Sequence, residues 1–318
     1  MDDGTTGELH SAVHEPLLGT RVTIRLRATD ARVAEAAERA VVAEIERLES
    51  VLSAYRTDSE WSRWRRGELD RPGPEIVALL EFAAHWHSIG GGAFNPLVGV
   101  LRARWLRAVH EQVLPSPDEM VELAAGIVDL PYRVVGGAVE RTGDCALVDL
   151  HAIAKGWIVD RAVRVAVERA GVREVVVNAG GDLLHRGPAA ITVGIEDPRR
   201  SFDNVPPLTS VVVRDAGVAS SSGARRPLRI GDTKLSHVLD PCTGWPVEHT
   251  LAATAIAPDA ATADVLATIT GVLPIATALH FADSLPGVCC LLLDGAGAIH
   301  ASARWPRRAD PTAQARAM

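Results

Sequence analysis

Lysine is almost missing from this chain of 318 residues: only Lys155 and Lys234 are lysine, and the other 31 basic residues are arginine. Such a bias can follow from the nucleotide composition of a gene, but it makes Lys155 worth a question. Positive charge is not in excess either. The formal net charge is -7, so no broad basic surface exists for phosphate backbones, and a general nucleic-acid partner is excluded. Cysteine is sparse, and Cys145, Cys242, Cys289 and Cys290 include no pair at C-x-x-C spacing. That argues against a cysteine zinc site or a disulfide framework and fits a reducing compartment. No run reaches the roughly 18 consecutive apolar residues of a membrane span. The start, MDDGTTGELH, has neither a basic nor an apolar leader region, so the expected location is the cytoplasm.

What is present is ordinary globular material, 47% apolar and 23% charged, which excludes disorder or a fibre. No linker divides the chain and no repeat of about 20–50 residues occurs. It reads as one unit over 1–318, with an ordered core over 15–303 and frayed ends. Residues 21–27 alternate apolar and basic, the period of a half-buried strand. A helix follows over 30–53 with Asp30 as N-cap, and others are expected over 74–89, 97–109, 118–126, 154–170, 260–270 and 274–283. Trp61 and Trp64 lie three apart on one turn, as packing or as a stacking surface. Strands are expected at 132–135, 138–140, 145–149, 174–178, 190–195, 210–214, 228–230, 234–238, 251–257, 288–293 and 298–302. Residues 220–223 read as a Ser/Gly loop, and 198–209 as a surface excursion. Intermixed strands and helices give an α+β fold of mixed layers.

Several short patterns carry chemistry, each with a plainer reading beside it. Gly180, Gly181 and Asp182 follow the apolar run Val175–Val177, where the glycines form a tight turn or offer amides to phosphate oxygens. The dinucleotide fingerprint G-x-G-x-x-G is absent. Gly90–Gly92 before Ala93, Phe94 and Asn95 is similarly ambiguous. Lys155 stands near a helix start, six residues after Asp149. An ammonium there is disfavoured by the helix dipole unless an anion compensates. A nucleotide phosphate would do so, and so would Asp149 or Asp160. Asp264 and Thr268, four apart, put a carboxylate and a hydroxyl on one helical face, as in an oxygen shell for magnesium or simply a polar face. His237 in LSHVLDPCTGWP is either a general base or a structural histidine, and Asp240 either orients it or organises the turn. Ser220–Ser222 lacks the G-x-S-x-G elbow, so a serine hydrolase finds little support.

Taken in order, LGT (18–20), AYRTDSE (54–60), GGAFNP (91–96), DLHAIAKGWIVDRA (149–162), NAGGD (178–182), SSSG (220–223), HVLDPCTGWPV (237–247) and ADVLAT (263–268) resemble the ApbE family of FAD:protein FMN transferases. The resemblance covers nearly the whole chain and implies an ApbE-like fold with a large cleft. It implies an enzyme that binds FAD, uses Mg²⁺, and transfers FMN to a threonine or serine hydroxyl of an acceptor protein, releasing AMP. By motif position, Leu18, Tyr55, Ala93, Phe94, Asn95, Asp149 and Lys155 would contact FAD, with Gly180, Gly181 and Asp182 completing the anion cradle. Ala152, through its backbone carbonyl, would hold the metal with Asp264 and Thr268, and His237 would act as general base. An FAD pyrophosphatase, a small-molecule flavin transferase and a non-catalytic flavin-binding protein are the alternatives.

Three departures stand out against the family pattern. Asn95 replaces the usual aspartate, His151 replaces a small residue, and Ala224, Arg225 and Arg226 replace an aspartate and an aromatic after SSSG.

Overall fold

The computed structural model describes residues 7–200, 205–223 and 227–306. In chain order the elements are β1 (Glu8–Leu17), β2 (Thr20–Ala28), α1 (Ala31–Leu52), α2 (Glu60–Arg65), α3 (Pro74–Ile89), α4 (Val98–Glu111), α5 (Pro117–Ala125), β3 (Tyr132–Val135) and β4 (Ala138–Arg141). The central run is α6 (His151–Val167), β5 (Val172–Ala179), β6 (Asp182–Arg186), β7 (Ile191–Ile195), β8 (Thr209–Val213) and β9 (Gly217–Ser222). The chain continues with β10 (Leu228–Ile230), β11 (Thr233–Leu235), β12 (Thr250–Ala257), α7 (Ala260–Val272), α8 (Ile275–Ser284), β13 (Cys289–Asp294) and β14 (Ile299–Ala301).

Eight strands form one sheet in the order β1-β2-β5-β6-β9-β12-β13-β14, every neighbouring pair antiparallel. Helix α6 packs between α1 and α7, and the three lie over one face. In β2 the alternation seen in sequence turns Val22, Ile24 and Leu26 into that core. In β5 the run Val175–Val177 is apolar throughout because both faces are covered: Val175 and Val177 join the main core, while Val176 joins a second cluster with Val211 and Val213 of β8. Helix α1 starts where its capping residue predicts. The Asp30 carboxylate accepts from Val33 N at 3.1 Å, and Ala34, Ala37, Val41, Ile45, Leu48 and Leu52 form the buried stripe. Trp61 and Trp64 are both buried and stacked at 5.3 Å, which makes them packing residues.

Four expectations change. Residues 145–149 form no strand, because Asp149 N is bound to Pro96 O at 2.6 Å and the segment serves as a strut to the glycine loop. Ser220–Ser222 belong to β9, paired on Ala252–Thr254 of β12, rather than to a loop. The strand expected over 234–238 ends at Leu235. Strand β1 was not foreseen, since it lies at the sheet edge with little buried surface to impose a pattern. Among the described residues no helix is long and apolar enough to cross a membrane. Ala224, Arg225 and Arg226 lie outside the described residues.

Candidate active site

Helices α6 and α7 cross antiparallel, and their contact orders the site. The Asp160 carboxylate accepts from Ala260 N and Ala261 N at 2.7 and 2.9 Å, tying off the first turn of α7. One turn back on α6, Gly156 N donates to Asp264 Oδ2 at 3.1 Å, one turn further along α7. The progression runs on toward Ala152 and Thr268, both half-buried. Gly156 permits this approach, since a Cβ there would collide with the Ala260 carbonyl.

Beside the crossing, Lys155 Nζ lies 2.7 Å from Asp182 Oδ2. The sequence offered Asp149 or Asp160 as partners, but Asp160 is spent on α7 and Asp149 on His151. Asp182 is 1% exposed. Burial pushes its carboxyl up in pKa, and Lys155 pulls it partly back. Asp264 is raised well above the ordinary range by burial and then by the charge of Asp182, against the pull of Lys155. Among the described residues, the Lys155 ammonium is thus the positive charge that acts on both carboxylates.

Two hairpin tips meet at the same end of the sheet. The β1–β2 tip is Leu18–Gly19, with φ of 55° and 64°, and the β5–β6 tip is Gly180–Gly181, with φ of 62° and 112°. Val22 pairs with Ala179, which sets the tips side by side, and a Cβ on Gly180 would lie 2.5 Å from Thr20 Oγ1. The amides are already engaged, however. Gly180 N donates to Arg21 O at 3.2 Å and Gly181 N to Asn178 Oδ1 at 2.9 Å. The anion cradle expected of these two amides therefore finds no free donor there. Ser222, paired with Ala252, ends β9 toward this same end of the sheet.

The glycine loop reaches α7 as well, for a Cβ on Gly90 would lie 3.0 Å from Ile269 Cδ1. Ala93 and Phe94 are buried in the main core. Asn95, 5% exposed, spends its amide on the backbone: Nδ2 donates to Ile127 O at 2.9 Å and Oδ1 accepts from Leu97 N at 2.8 Å. The Asn95 side chain thus acts as a brace for this segment. Asp149 Oδ1 accepts from both His151 N and His151 Nδ1, at 2.8 and 2.5 Å, and Arg102 Nη1 is 3.9 Å from Oδ2. Burial pushes the Asp149 carboxyl up, but the bonds from His151 and the charge of Arg102 outweigh it and hold it low. Sequence gave no sign of Arg102, or of Arg65, which donates to Val148 O at 3.1 Å.

His237 is exposed on the stretch after β11. A Cβ on Gly223 would collide with the Ser236 side chain, which seats the SSSG segment against the residue before His237. Asp240 organises the turn: its carboxylate accepts from Cys242 N at 2.9 Å and from Thr243 Oγ1 at 3.1 Å. A cavity of about 690 Å³ opens between the glycine loop and this turn, lined by Gly91, Gly92, Asn95, Pro241 and Cys242. A second, of about 450 Å³, lies toward the far end of α6, beside Asp160 and Arg161. Neither is lined by Lys155, Asp182 or Asp264. Among the described residues no group of three or more His, Cys, Asp or Glu side chains is arranged to hold a metal ion.

A sequence profile described as the ApbE family matches residues 18–292. The chain is 29% identical to the FAD:protein FMN transferase of Treponema pallidum, over 91% of this chain and 86% of that one. It is 28% identical to the FAD:protein FMN transferase of Klebsiella pneumoniae, over 78% and 74%. The fold is similar to the crystal structure of the ApbE protein of Thermotoga maritima, with a TM-score of 0.81 and 24% identity over 93% of this chain and 97% of that one. The apo flavinyl transferase ApbE of Pseudomonas stutzeri gives a TM-score of 0.75 at 22% identity, over 93% and 95%.

Proposed function

This chain belongs to the ApbE family, and from that membership we propose that it transfers the FMN half of FAD to a serine or threonine hydroxyl of an acceptor protein, with Mg²⁺, releasing AMP. The observation that carries this reading is the α6–α7 crossing, which gathers Lys155, Asp182 and Asp264 beside two glycine-tipped turns. The reaction forms a bond from the acceptor oxygen to the FMN phosphorus, breaks the pyrophosphate link, and moves the hydroxyl proton to a base.

The Asp264 carboxylate, the Thr268 hydroxyl and the Ala152 carbonyl form an all-oxygen set that suits Mg²⁺. The neighbouring Asp182 and Asp264 carboxylates fit a cation, and Asp264 competes for Gly156 N–H, the donor that helical bonding aims at the Ala152 carbonyl. When bound, the ion supplies positive charge to the pyrophosphate and the leaving AMP. Lys155, oriented by Asp182, adds a second positive charge. Leu18, Tyr55, the Ala93–Asn95 backbone and Asp149 hold the flavin nucleotide, with Gly180 and Gly181 giving close backbone approach. His237, on an exposed stretch that a protein acceptor can reach, takes the hydroxyl proton. The four cysteines are unpaired, which suits a reducing compartment, where we place the activity.

Incubation with FAD, Mg²⁺ and a candidate acceptor tests the proposal by mass spectrometry. The expected result is an acceptor heavier by FMN, with one AMP released per adduct. AMP and free FMN without adduct across cognate acceptors would point to a pyrophosphatase, and bound FAD without AMP to a binding protein. His237→Ala is expected to slow transfer far more than it weakens FAD binding.

A further inference from the structure

Tyr55 is 75% exposed, the most exposed large apolar side chain among the described residues. An aromatic ring standing in solvent ordinarily swings between rotamers. This one has a neighbour: the His151 imidazole meets it edge to face, centroids 5.6 Å apart at 61°. His151 is itself tethered, since its Nδ1 and backbone N both reach Asp149 Oδ1. Asp149 is fixed in turn through its own N–H to Pro96 O at 2.6 Å. Restraint therefore runs from the AFNP segment through Asp149 and His151 to an aromatic face open to a ligand.

We propose that His151 is a positioning residue for the flavin: tethered to Asp149, it braces the Tyr55 ring as a preformed stacking surface for a planar aromatic group. This rests on the reading that Tyr55 meets FAD. The small residue that the family pattern leads one to expect at this position would leave the ring without that support. A braced ring loses less freedom when a ligand stacks on it, so the gain falls on binding rather than on the chemical step.

The chain has only two tyrosines, Tyr55 and the buried Tyr132, so carbon-13-labelled tyrosine rings give two separable signals without FAD present. In the unaltered protein both rings should relax as ordered groups. In His151→Ala the Tyr55 ring should become mobile while Tyr132 stays unchanged, which controls for folding. With FAD, His151→Ala should raise Kd and KM roughly threefold to tenfold, and the loss should appear in KM rather than in kcat. The double variant Tyr55→Ala/His151→Ala should bind FAD no more weakly than Tyr55→Ala alone. An ordered Tyr55 ring in His151→Ala, or losses that multiply in the double variant, would overturn the bracing role alone. An unaltered protein that binds no FAD would overturn the parent reading, and the flavin-positioning role with it.

Discussion

Gly156 gives its backbone N–H to the Asp264 carboxylate at 3.1 Å, and it can do so only because it carries no side chain. Gly156→Ala would drive a methyl group into the Ala260 carbonyl and force α6 and α7 apart. Denaturant melts should show a loss of about 1–3 kcal/mol from overpacking. AMP release should fall along with stability, because the Asp264 carboxylate loses its anchor.

Asp264→Asn separates charge from shape. The amide oxygen can still accept from Gly156 N, while the repulsion from Asp182 disappears. Without metal, the melting temperature should hold or rise. Metal-dependent AMP release should drop at least roughly tenfold to hundredfold, and unchanged turnover would remove Asp264 from the metal set.

Asn95→Asp, nearly equal in shape, should nonetheless cost stability. A carboxylate oxygen would replace Nδ2 opposite the Ile127 carbonyl, turning a 2.9 Å hydrogen bond into a contact between two acceptors. The expected loss is about 1–3 kcal/mol at neutral pH, read as a lower denaturant midpoint. Asn95→Ala should cost a similar amount, and a neutral Asn95→Asp would show that the brace is dispensable.

Burial, against the two backbone N–H bonds it accepts, pushes Asp160 up from 3.8 to about 6. The folded state thus holds this proton more tightly than the unfolded chain does. Its contribution to stability is full below about pH 4, declines as pH rises to about 6, and is flat above. Urea midpoints of the unaltered protein minus those of Asp160→Asn should shrink across that window. A difference that grows with pH there would refute the raised value.

Elements whose signal is local were legible from sequence. Asp30 announced α1, the alternation of 21–27 announced β2, and the helix expected over 74–89 is α3. Helix α6 starts at His151, three residues before the periodic stretch suggests; its N-cap Leu150 has no capping group to mark the start, and the bond to His151 N comes from Asp149. Ser220–Ser222 look like a loop because their polarity hides the end of a strand, paired on β12. Motif order singled out groups of residues, but not their partners. Nothing local says that Lys155 meets Asp182, that Asp160 serves α7, or that the Gly180 and Gly181 amides are already occupied. Those pairings depend on which helix crosses which, a property of the assembled layers.

The scarcity of lysine makes the charged cluster chemically addressable. Apart from the chain's own amino terminus, an acylating reagent has two primary amines to find. Lys234 stands exposed on β11, whereas Lys155 is half-buried against Asp182. A mass count of tags over time would therefore show one quick event and one delayed event at these lysines. The delay measures how often the ammonium leaves its carboxylate, which turns Lys155 into a built-in clock for the opening of this region.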